Sequence, residues 1–312
     1  MIEGRGRRRR EARRRRLAGL LAAALSALPA GPGAAGDPAA EAPGAGAHPP
    51  APADAPERVV SINLCTDQLA MLLAAPGQLV SVSRWASRPG ASNMVAAAAG
   101  LRANDGGAEE VWLMKPDLVL AGSFNDAATL ALLRRLGLRV VVFDPASSLD
   151  DVPDRLRRVG RLLGREAEAE RAVAGFEAAR AAAAARAAGL RRLPAAYHYP
   201  NGYTSGAGTL AADVMAAARL ENAAADLGLS GVAPLPLEAL VMLEPFLIRT
   251  RSLADTRRGR AYETARHPAL ERLAALGGAT VEERRQVCGT PFVTLAVEAL
   301  LDARAPALAA AR

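Results

Sequence analysis

A glutamate-to-proline unit occurs twice in this chain, as "EEVWLMKPDLVL" over residues 109–120 and as "LEALVMLEPFLI" over residues 237–248. In each copy a glutamate is followed seven residues later by a proline and then by an apolar run typical of a strand: Glu109 with Pro116, and Glu238 with Pro245. Because proline ends helices, each copy predicts a helix that begins near its glutamate. The two carboxylates either serve a function at the same end of two similar lobes or are ordinary helix-start acids that complement the helix dipole.

Loops rich in aromatic and amide side chains follow several predicted strands. Because open α/β sheets bind ligands outside the carboxyl ends of their strands, these loops predict a ligand-binding cleft. Such a set suits a flat, partly aromatic ligand that also forms hydrogen bonds. The predicted ligand-binding residues are Asn63, Cys65, Trp85, Phe124, Asn125, Tyr199, Tyr203 and Cys288.

Cys65 and Cys288 are the two cysteines of the chain, and each is predicted to follow directly after a strand. In an oxidising compartment they would be able to form a disulfide that ties the two lobes across the mouth of the cleft. Two alternatives stay open at this point. Each cysteine is a soft ligand for a metal centre, or each is simply a small buried side chain.

Several other chemistries lack the residues that they require. Zinc capture needs three or four ligands in one place, whereas His198 and His267 are the only histidines beyond the N-terminal segment and belong to no metal-binding doublet. The segment "NGYTSGAGT" has neither a GxxxxGK[ST] pattern nor the third glycine of a dinucleotide fingerprint. The hydrolase patterns GxSxG and HExxH are missing too. No catalytic residue, metal site or cofactor is therefore predicted.

The net charge of +7 is confined to the N-terminus. Residues 1–16 hold nine arginines and two glutamates out of 39 basic and 32 acidic residues, which leaves 30 of each sign in the rest of the chain. No basic footprint for nucleic acid remains. The arginine block precedes a short apolar run with small residues at its end, which predicts a secretory signal peptide over 1–35. The Ala-, Pro- and Gly-rich segment 36–56 is predicted to be a disordered tether.

The elements that position these residues alternate between strand and helix. The predicted strands "RVVSI", "LVSVS", "DLVLAG" and "RVVVFD", with helical segments between them, indicate parallel βαβ units and an N-terminal lobe at 57–163. The stretch from "LVSVS" to Met114 is predicted to be helical. Strong helix formers then predict one long connecting helix at 164–189, and the same alternation returns in a C-terminal lobe at 190–312. The predicted fold is α/β, with two Rossmann-like lobes joined by a single long α-helix.

The ordered set of these segments resembles a known family. The segments "RVVSINLCTDQLAMLLA", "EEVWLMKPDLVLAG" and "SGAGTLAADVMAAARLENAA", the last followed by "LPLEALVMLEPFLI", are similar to the periplasmic binding proteins of ABC importers for cobalamin, haem and ferric siderophores. The resemblance covers residues 58–304. It implies little hinge motion, a ligand held in the cleft, and docking of Glu109 and Glu238 against arginines of a permease dimer. The chain departs from the family at Phe246, where the first copy of the unit has Asp117, and in its two cleft cysteines.

Three hypotheses of function follow. The first is a periplasmic receptor, not an enzyme, that captures a metal chelate and delivers it to an inner-membrane ABC permease dimer. Its bound cargo would be a cobalamin-like corrinoid, a ferric siderophore or haem, and no nucleic acid would be involved. The second is an exported cleft enzyme or redox protein that uses Cys65 and Cys288. The third is a structural or signalling module whose cleft is vestigial.

Overall fold

A computed structural model describes residues 55–251 and 267–310. The predicted signal peptide at 1–35 and residues 36–54 of the predicted tether lie outside this part of the chain. Pro56, the last residue assigned to the tether, lies against the folded region, because its carbonyl oxygen accepts a 2.8 Å hydrogen bond from Nε2 of Gln78. Within the described residues, no helix is both long and apolar enough to cross a membrane.

The first half contains a five-stranded parallel sheet in the order β3-β2-β1-β4-β5. Its strands are β1 (Val59–Ser61), β2 (Leu79–Ser83), β3 (Arg102–Asn104), β4 (Leu118–Gly122) and β5 (Val140–Phe143). The intervening helices are α1 (Leu64–Leu73), α2 (Val95–Ala98), α3 (Ala108–Leu113) and α4 (Ala127–Arg135). One face of the sheet packs with α3 and α4 around Val60, Val119 and Leu133, all fully buried, so this half has its own apolar core.

Two helices, α5 (Asp151–Leu163) and α6 (Glu166–Ala187), lie between the two sheets in the sequence. Helix α5 ends at Gly164, which has the left-handed conformation that closes helices without a steric cost (φ 64°). The 22 residues of α6 fall inside the predicted connecting segment and span about 33 Å at 1.5 Å per residue. The chain thus enters its second half from this long helix.

The second half contains a four-stranded parallel sheet in the order β11-β10-β6-β8 and a separate antiparallel pair, β7 with β9. The strands are β6 (Leu193–His198), β7 (Tyr203–Ser205), β8 (Leu220–Asn222), β9 (Val232–Pro234), β10 (Phe246–Arg251) and β11 (Gly278–Glu282). The helices are α7 (Leu210–Ala217), α8 (Ala223–Asp226), α9 (Leu237–Leu243), α10 (Pro268–Leu276) and α11 (Val293–Ala310). A second apolar cluster, around Leu240, Leu247 and Leu270, is separate from the first. The predicted α/β class with two parallel sheets is confirmed.

Several elements differ from the sequence-based prediction, which did not include β3, β7, β8 or β9. The stretch predicted to be helical between β2 and Met114 contains the edge strand β3, whose Asn104 is held by 2.9 Å and 2.8 Å bonds from Nδ2 to the Ser61 carbonyl and Ser81 Oγ. The strand predicted directly before Cys288 is also wrong. Strand β11 ends at Glu282, and Glu283–Arg285 form a short 3₁₀ helix.

Candidate functional site

The loops at the carboxyl ends of the two sheets contact each other. Cys65, just after β1, forms a disulfide with Cys288, which lies beyond β11, and the two Cα atoms are 5.1 Å apart. Asn93, in the loop after β2, donates a 2.6 Å hydrogen bond from Nδ2 to the carbonyl oxygen of Arg284. Of the three alternatives for the cysteines, the bridge between the lobes is correct, and the separate metal ligands and separate buried residues are wrong. The loops at the strand ends of both halves therefore meet at this bridge.

Asn63 and Asn125 hold the strand-end loops of the first lobe in place. Asn63 is the N-cap of α1, and its Oδ1 accepts a 2.9 Å hydrogen bond from the Cys65 N–H. Asn125 accepts a 2.8 Å bond from the Gly122 N–H and donates a 2.9 Å bond from Nδ2 to the Ile62 carbonyl. Because these amides tie the loop after β1 to the loop after β4, their first role is to position the neighbouring side chains.

Trp85 and Phe124 present exposed aromatic rings in the turns after β2 and β4, and Tyr203 presents one at the start of β7. Phe124 retains 86% of its accessible surface. The guanidinium groups of Arg84 and Arg88 lie 5.8 Å and 5.4 Å from the Trp85 ring centroid. Cations at this distance are attracted to the ring face. The rings can cover a flat apolar ligand, and Arg88 can neutralise an acidic group on its edge, whereas Arg84 already pairs with Asp105 at 2.9 Å.

Tyr199 differs from these three rings because it is held within the protein. Its ring stacks on Tyr197 with centroids 5.5 Å apart, and its hydroxyl lies 2.8 Å from Ser205 Oγ. Burial, aided by the nearby Glu283 charge, raises the pKa of Tyr199 to about 12. Tyr197 in turn donates a 2.6 Å bond to Oε1 of Gln286. Tyr199 is therefore an uncharged side chain that packs against its own lobe.

A buried polar group beside the end of β2 was not found from the sequence. Asp67 lies in the first turn of α1 and accepts hydrogen bonds from the Ser83 N–H at 3.1 Å and the Ser83 hydroxyl at 2.5 Å. Burial raises the pKa of Asp67 from 3.8 to about 7, against the lowering effect of hydrogen bonds from Ser61 and Ser83. The signal in the sequence was an aspartate in the first turn of a helix whose later residues, Leu69–Leu73, are all apolar.

The repeated unit adopts the same backbone form in both lobes. Glu109 and Glu238 are each the second residue of a short helix, α3 or α9, and both are exposed. Each unit then passes through a left-handed residue before its proline, Lys115 with φ 49° and Glu244 with φ 42°. The prediction of two glutamates at equivalent helix starts is confirmed.

The departure at Phe246 has a local explanation. The carboxylate of Asp117 accepts hydrogen bonds from the backbone N–H groups of Glu57 and Arg58 at 2.7 Å and 3.1 Å, where the chain enters β1. Phe246 instead begins β10 and is buried. The first lobe thus uses a carboxylate where the second uses an apolar side chain.

The described residues bring Asn63, Cys65 and Cys288 together directly, and they place Asn125 beside the Asn63 loop. Trp85, Phe124 and Tyr203 make no ring-to-ring contact within this part of the chain. No group of three or more histidine, cysteine, aspartate and glutamate side chains is arranged for a metal ion in residues 55–251 and 267–310.

Two α/β halves with separate cores, and with their strand-end loops in contact, define a two-lobed architecture. The chain belongs to the periplasmic binding protein family, which matches residues 59–278. The resemblance drawn from the sequence segments is thereby confirmed.

Curated relatives of the chain are named for corrinoid binding. The cobalamin-binding protein of Halobacterium salinarum is 31% identical over 204 residues, covering 64% of this chain and 55% of the relative. The vitamin B12-binding protein of Pectobacterium carotovorum is 29% identical over 123 residues, covering 39% of this chain and 44% of the relative. The chain spans about half the length of the curated relatives it matches.

Solved structures share the fold over most of the chain. The periplasmic haem-binding protein RhuT of Roseiflexus sp. RS-1 has a TM-score of 0.66 and 24% identity, covering 79% of this chain and 98% of that one. The periplasmic vitamin B12 binding protein BtuF of Vibrio cholerae has a TM-score of 0.62 and 19% identity, covering 81% and 98%. At these identities the likeness establishes the fold alone.

Proposed function

We propose that this chain is a periplasmic solute-binding protein that captures a metal chelate between its lobes and delivers it to an ABC permease dimer. The observation that carries the proposal is the meeting of the strand-end loops of two parallel sheets at the Cys65–Cys288 bridge. This is the position at which open α/β sheets bind ligands. Exposed rings on the surrounding loops supply the apolar contacts that a small-molecule site requires.

The chemistry of the loops favours a flat cargo with acidic or amide groups at its edge. Trp85 and Phe124 offer ring faces from the first lobe, Tyr203 offers one from the second, and Arg84 and Arg88 supply positive charge next to Trp85. A corrinoid, haem or a ferric siderophore has this character, and relatives named for cobalamin binding support the corrinoid. The metal arrives as part of the cargo, and binding rather than bond-making is the mechanism.

Export is the second part of the proposal. The arginine block and apolar run of residues 1–35 act as a signal peptide, and the mature protein works in the periplasm. The Cys65–Cys288 disulfide supports this location, since structural disulfides persist in oxidising compartments.

Delivery is the third part. Glu109 and Glu238 set the position of the protein on the permease dimer by pairing with basic residues of its two subunits. Their matching, exposed places at the second position of α3 and α9 support this role, because a partner with two-fold symmetry offers the same surface twice.

Membership in a family of binding proteins supports a receptor over the exported enzyme or redox protein. In the described structure Cys65 and Cys288 are joined to each other, so a redox role would require a reductant that opens the bridge. The vestigial-cleft hypothesis differs from the receptor in a direct way, because it predicts no ligand-induced change in stability.

The test is a thermal-melting titration of the mature protein with cyanocobalamin, haemin and a ferric hydroxamate siderophore. At a hundredfold excess over Kd, the bound chelate should add about 2.7 kcal/mol to the free energy of unfolding. Trp85→Ala and Phe124→Ala should each weaken the affinity about tenfold, because buried aromatic contacts dominate binding energies. The matched control is Leu276→Ala, an exposed apolar residue at the end of α10. No shift with any of the three chelates would contradict the proposal.

A further inference from the structure

A cavity of about 250 Å³ lies where the segment after β5 meets the helices of the second half. None of the exposed rings of Trp85, Phe124 and Tyr203 lines it, so it is distinct from the loops to which we assign the cargo. We call it the α6–α7 cavity. Its apolar walls include Leu149, Phe176, Ala183, Ala216, Ala217 and Val297.

The α6–α7 cavity has fixed apolar walls and owes its space to small side chains. Phe176 and Val297 are each 2% exposed and Leu149 is 4% exposed. Ala183 of α6 and Ala217 of α7 also line the cavity, and their short side chains leave its centre unfilled, whereas protein interiors are normally close-packed. Because an apolar cavity of about 150 Å³ is large enough to bind benzene, the α6–α7 cavity has room for a ring with a short substituent.

One negative charge at the α6–α7 cavity has no cationic partner within the described residues. Asp213 lines the cavity, and its Oδ2 accepts a 2.9 Å hydrogen bond from the neutral Leu149 N–H. Arg180, the basic residue of the lining, already has acidic partners, because its Nη1 lies 2.6 Å from Asp150 and 3.9 Å from Glu177. Three carboxylates therefore surround one guanidinium group, and a cation complements this distribution of charge.

We infer that the α6–α7 cavity binds a small organic amine as its ammonium ion, with the charged group on Asp213 and the apolar body against Phe176. A charge-assisted hydrogen bond of this kind is roughly twice as strong as a neutral one. An inorganic cation leaves the apolar walls unsatisfied, and an anionic ligand is repelled by Asp213. The inference does not depend on the proposed cargo, because the cavity lies outside the strand-end loops.

The experiment titrates the mature protein by calorimetry with phenethylammonium, 2-phenylethanol and 3-phenylpropionate. The three probes share a ring and a two-carbon arm and differ in the charge of the end group. The ammonium should bind at least tenfold more tightly than the alcohol, because only the ammonium compensates the Asp213 charge. The carboxylate should show no binding at millimolar concentration.

Two variants separate the charge from the space. Asp213→Asn keeps an oxygen that accepts the Leu149 N–H, so it should weaken the ammonium at least tenfold and leave the alcohol within threefold. Ala217 lies one helix turn after Asp213 on the same face of α7. Ala217→Leu occupies part of the cavity and should weaken both probes at least tenfold. The matched control, Asp226→Asn at an exposed position in α8, should leave both affinities within twofold.

Three results would overturn the inference. The first is no binding of phenethylammonium at millimolar concentration, or equal affinities for the ammonium and the carboxylate. The second is an ammonium affinity that Ala217→Leu does not change. The third is loss of ammonium binding in Trp85→Ala, which would assign the probe to the strand-end loops. Because Asp213→Asn is judged by the ratio of two affinities, a general loss of stability is not mistaken for loss of the charged contact.

Discussion

Asp67 shows how one side chain links the cleft loops to the stability of the first lobe. Its carboxyl group is fully buried, and it holds the end of β2 through the backbone and side chain of Ser83. The charged form would have to lose its hydration in this place, which is why the pKa rises to about 7. Asp67 is therefore bound to its proton over a pH range in which an unfolded chain has already released it.

Stability should consequently fall as pH rises from about 4 to about 7. In this range the folded state binds more protons at Asp67 than the unfolded state, so the free energy of unfolding decreases with pH. A pKa rise from 3.8 to about 7 corresponds to a total loss on the order of 4 kcal/mol. Asp67→Asn keeps a neutral, hydrogen-bonding group and should remove this part of the pH dependence. Urea unfolding at pH 4.5 and pH 7.5 measures it.

Asp226→Asn, at an exposed position in α8, is the control for this comparison and should keep the pH dependence of the unmodified protein. If Asp67→Asn loses as much stability between the two pH values as the unmodified protein does, the buried carboxyl is not the titrating group.

At the scale of elements, the start of α1 depends on a close approach to the end of β4. A Cβ atom on Gly122 would lie 2.5 Å from Nδ2 and 2.8 Å from Cγ of Asn63, the residue that caps α1. Gly122→Ala should displace this amide and remove the cap, at a cost of about 1 kcal/mol. Asn63→Ala should cost a similar amount. Because both changes remove the same hydrogen bond, the double variant should be clearly less destabilised than the sum.

Gly175→Ala is the control, and it should change the free energy of unfolding in the opposite direction. Gly175 lies in the middle of α6, and nothing stands within 4 Å of a Cβ atom built on it. Alanine there should raise the free energy of unfolding by about 0.5–1 kcal/mol, since glycine is unfavourable inside helices. Chemical denaturation of the four variants measures both effects, and additive costs at Gly122 and Asn63 would show that the two residues act independently.

The elements that were predictable from the sequence are those whose pattern matches their burial. Strands β1, β4 and β5 are short, mostly apolar runs that contain valine. The two copies of the glutamate-to-proline unit predict α3 and α9 and the strands that follow them. Strand β3 was missed because "RAN" contains no large apolar residue and lies at the edge of its sheet. It is stabilised instead by polar bonds of Asn104 to neighbouring strands.

The position of the candidate site was predictable in part from the order of strands and helices. Loops after parallel strands fall at one edge of a sheet, so the placement of Asn63, Trp85 and Asn125 near that edge followed from the order of elements. The pairing of Cys65 with Cys288 did not, because it joins positions 223 residues apart, and only the packing of the lobes decides such a contact. The internal role of Tyr199 likewise depends on its stacking with Tyr197.

At the scale of the whole molecule, the described lobes meet through the disulfide and through weaker contacts. The bond between Asn93 and the Arg284 carbonyl and a 2.9 Å bond from the Leu149 N–H to Asp213 also cross between the halves. Gly289 packs closely on Ala146, since a Cβ atom there would lie 2.3 Å from the Ala146 methyl group. The disulfide is the covalent member of this set and closes a chain loop with a sequence separation of 223.

Replacing both cysteines, Cys65→Ser with Cys288→Ser, should therefore destabilise the protein without abolishing its fold. Loss of a long-range disulfide typically costs about 2–5 kcal/mol, because the unfolded chain regains conformational freedom. The remaining contacts between the lobes are hydrogen bonds and local packing, so the two halves should begin to unfold in separate steps.

Guanidinium titrations followed by circular dichroism and by the fluorescence of Trp85 and Trp112, both in the first lobe, would resolve these steps. Reductant should lower the midpoint of the unmodified protein and leave the double variant unchanged. Equal midpoints for the unmodified protein and the double variant, both measured without reductant, would mean that noncovalent contacts alone hold the lobes together.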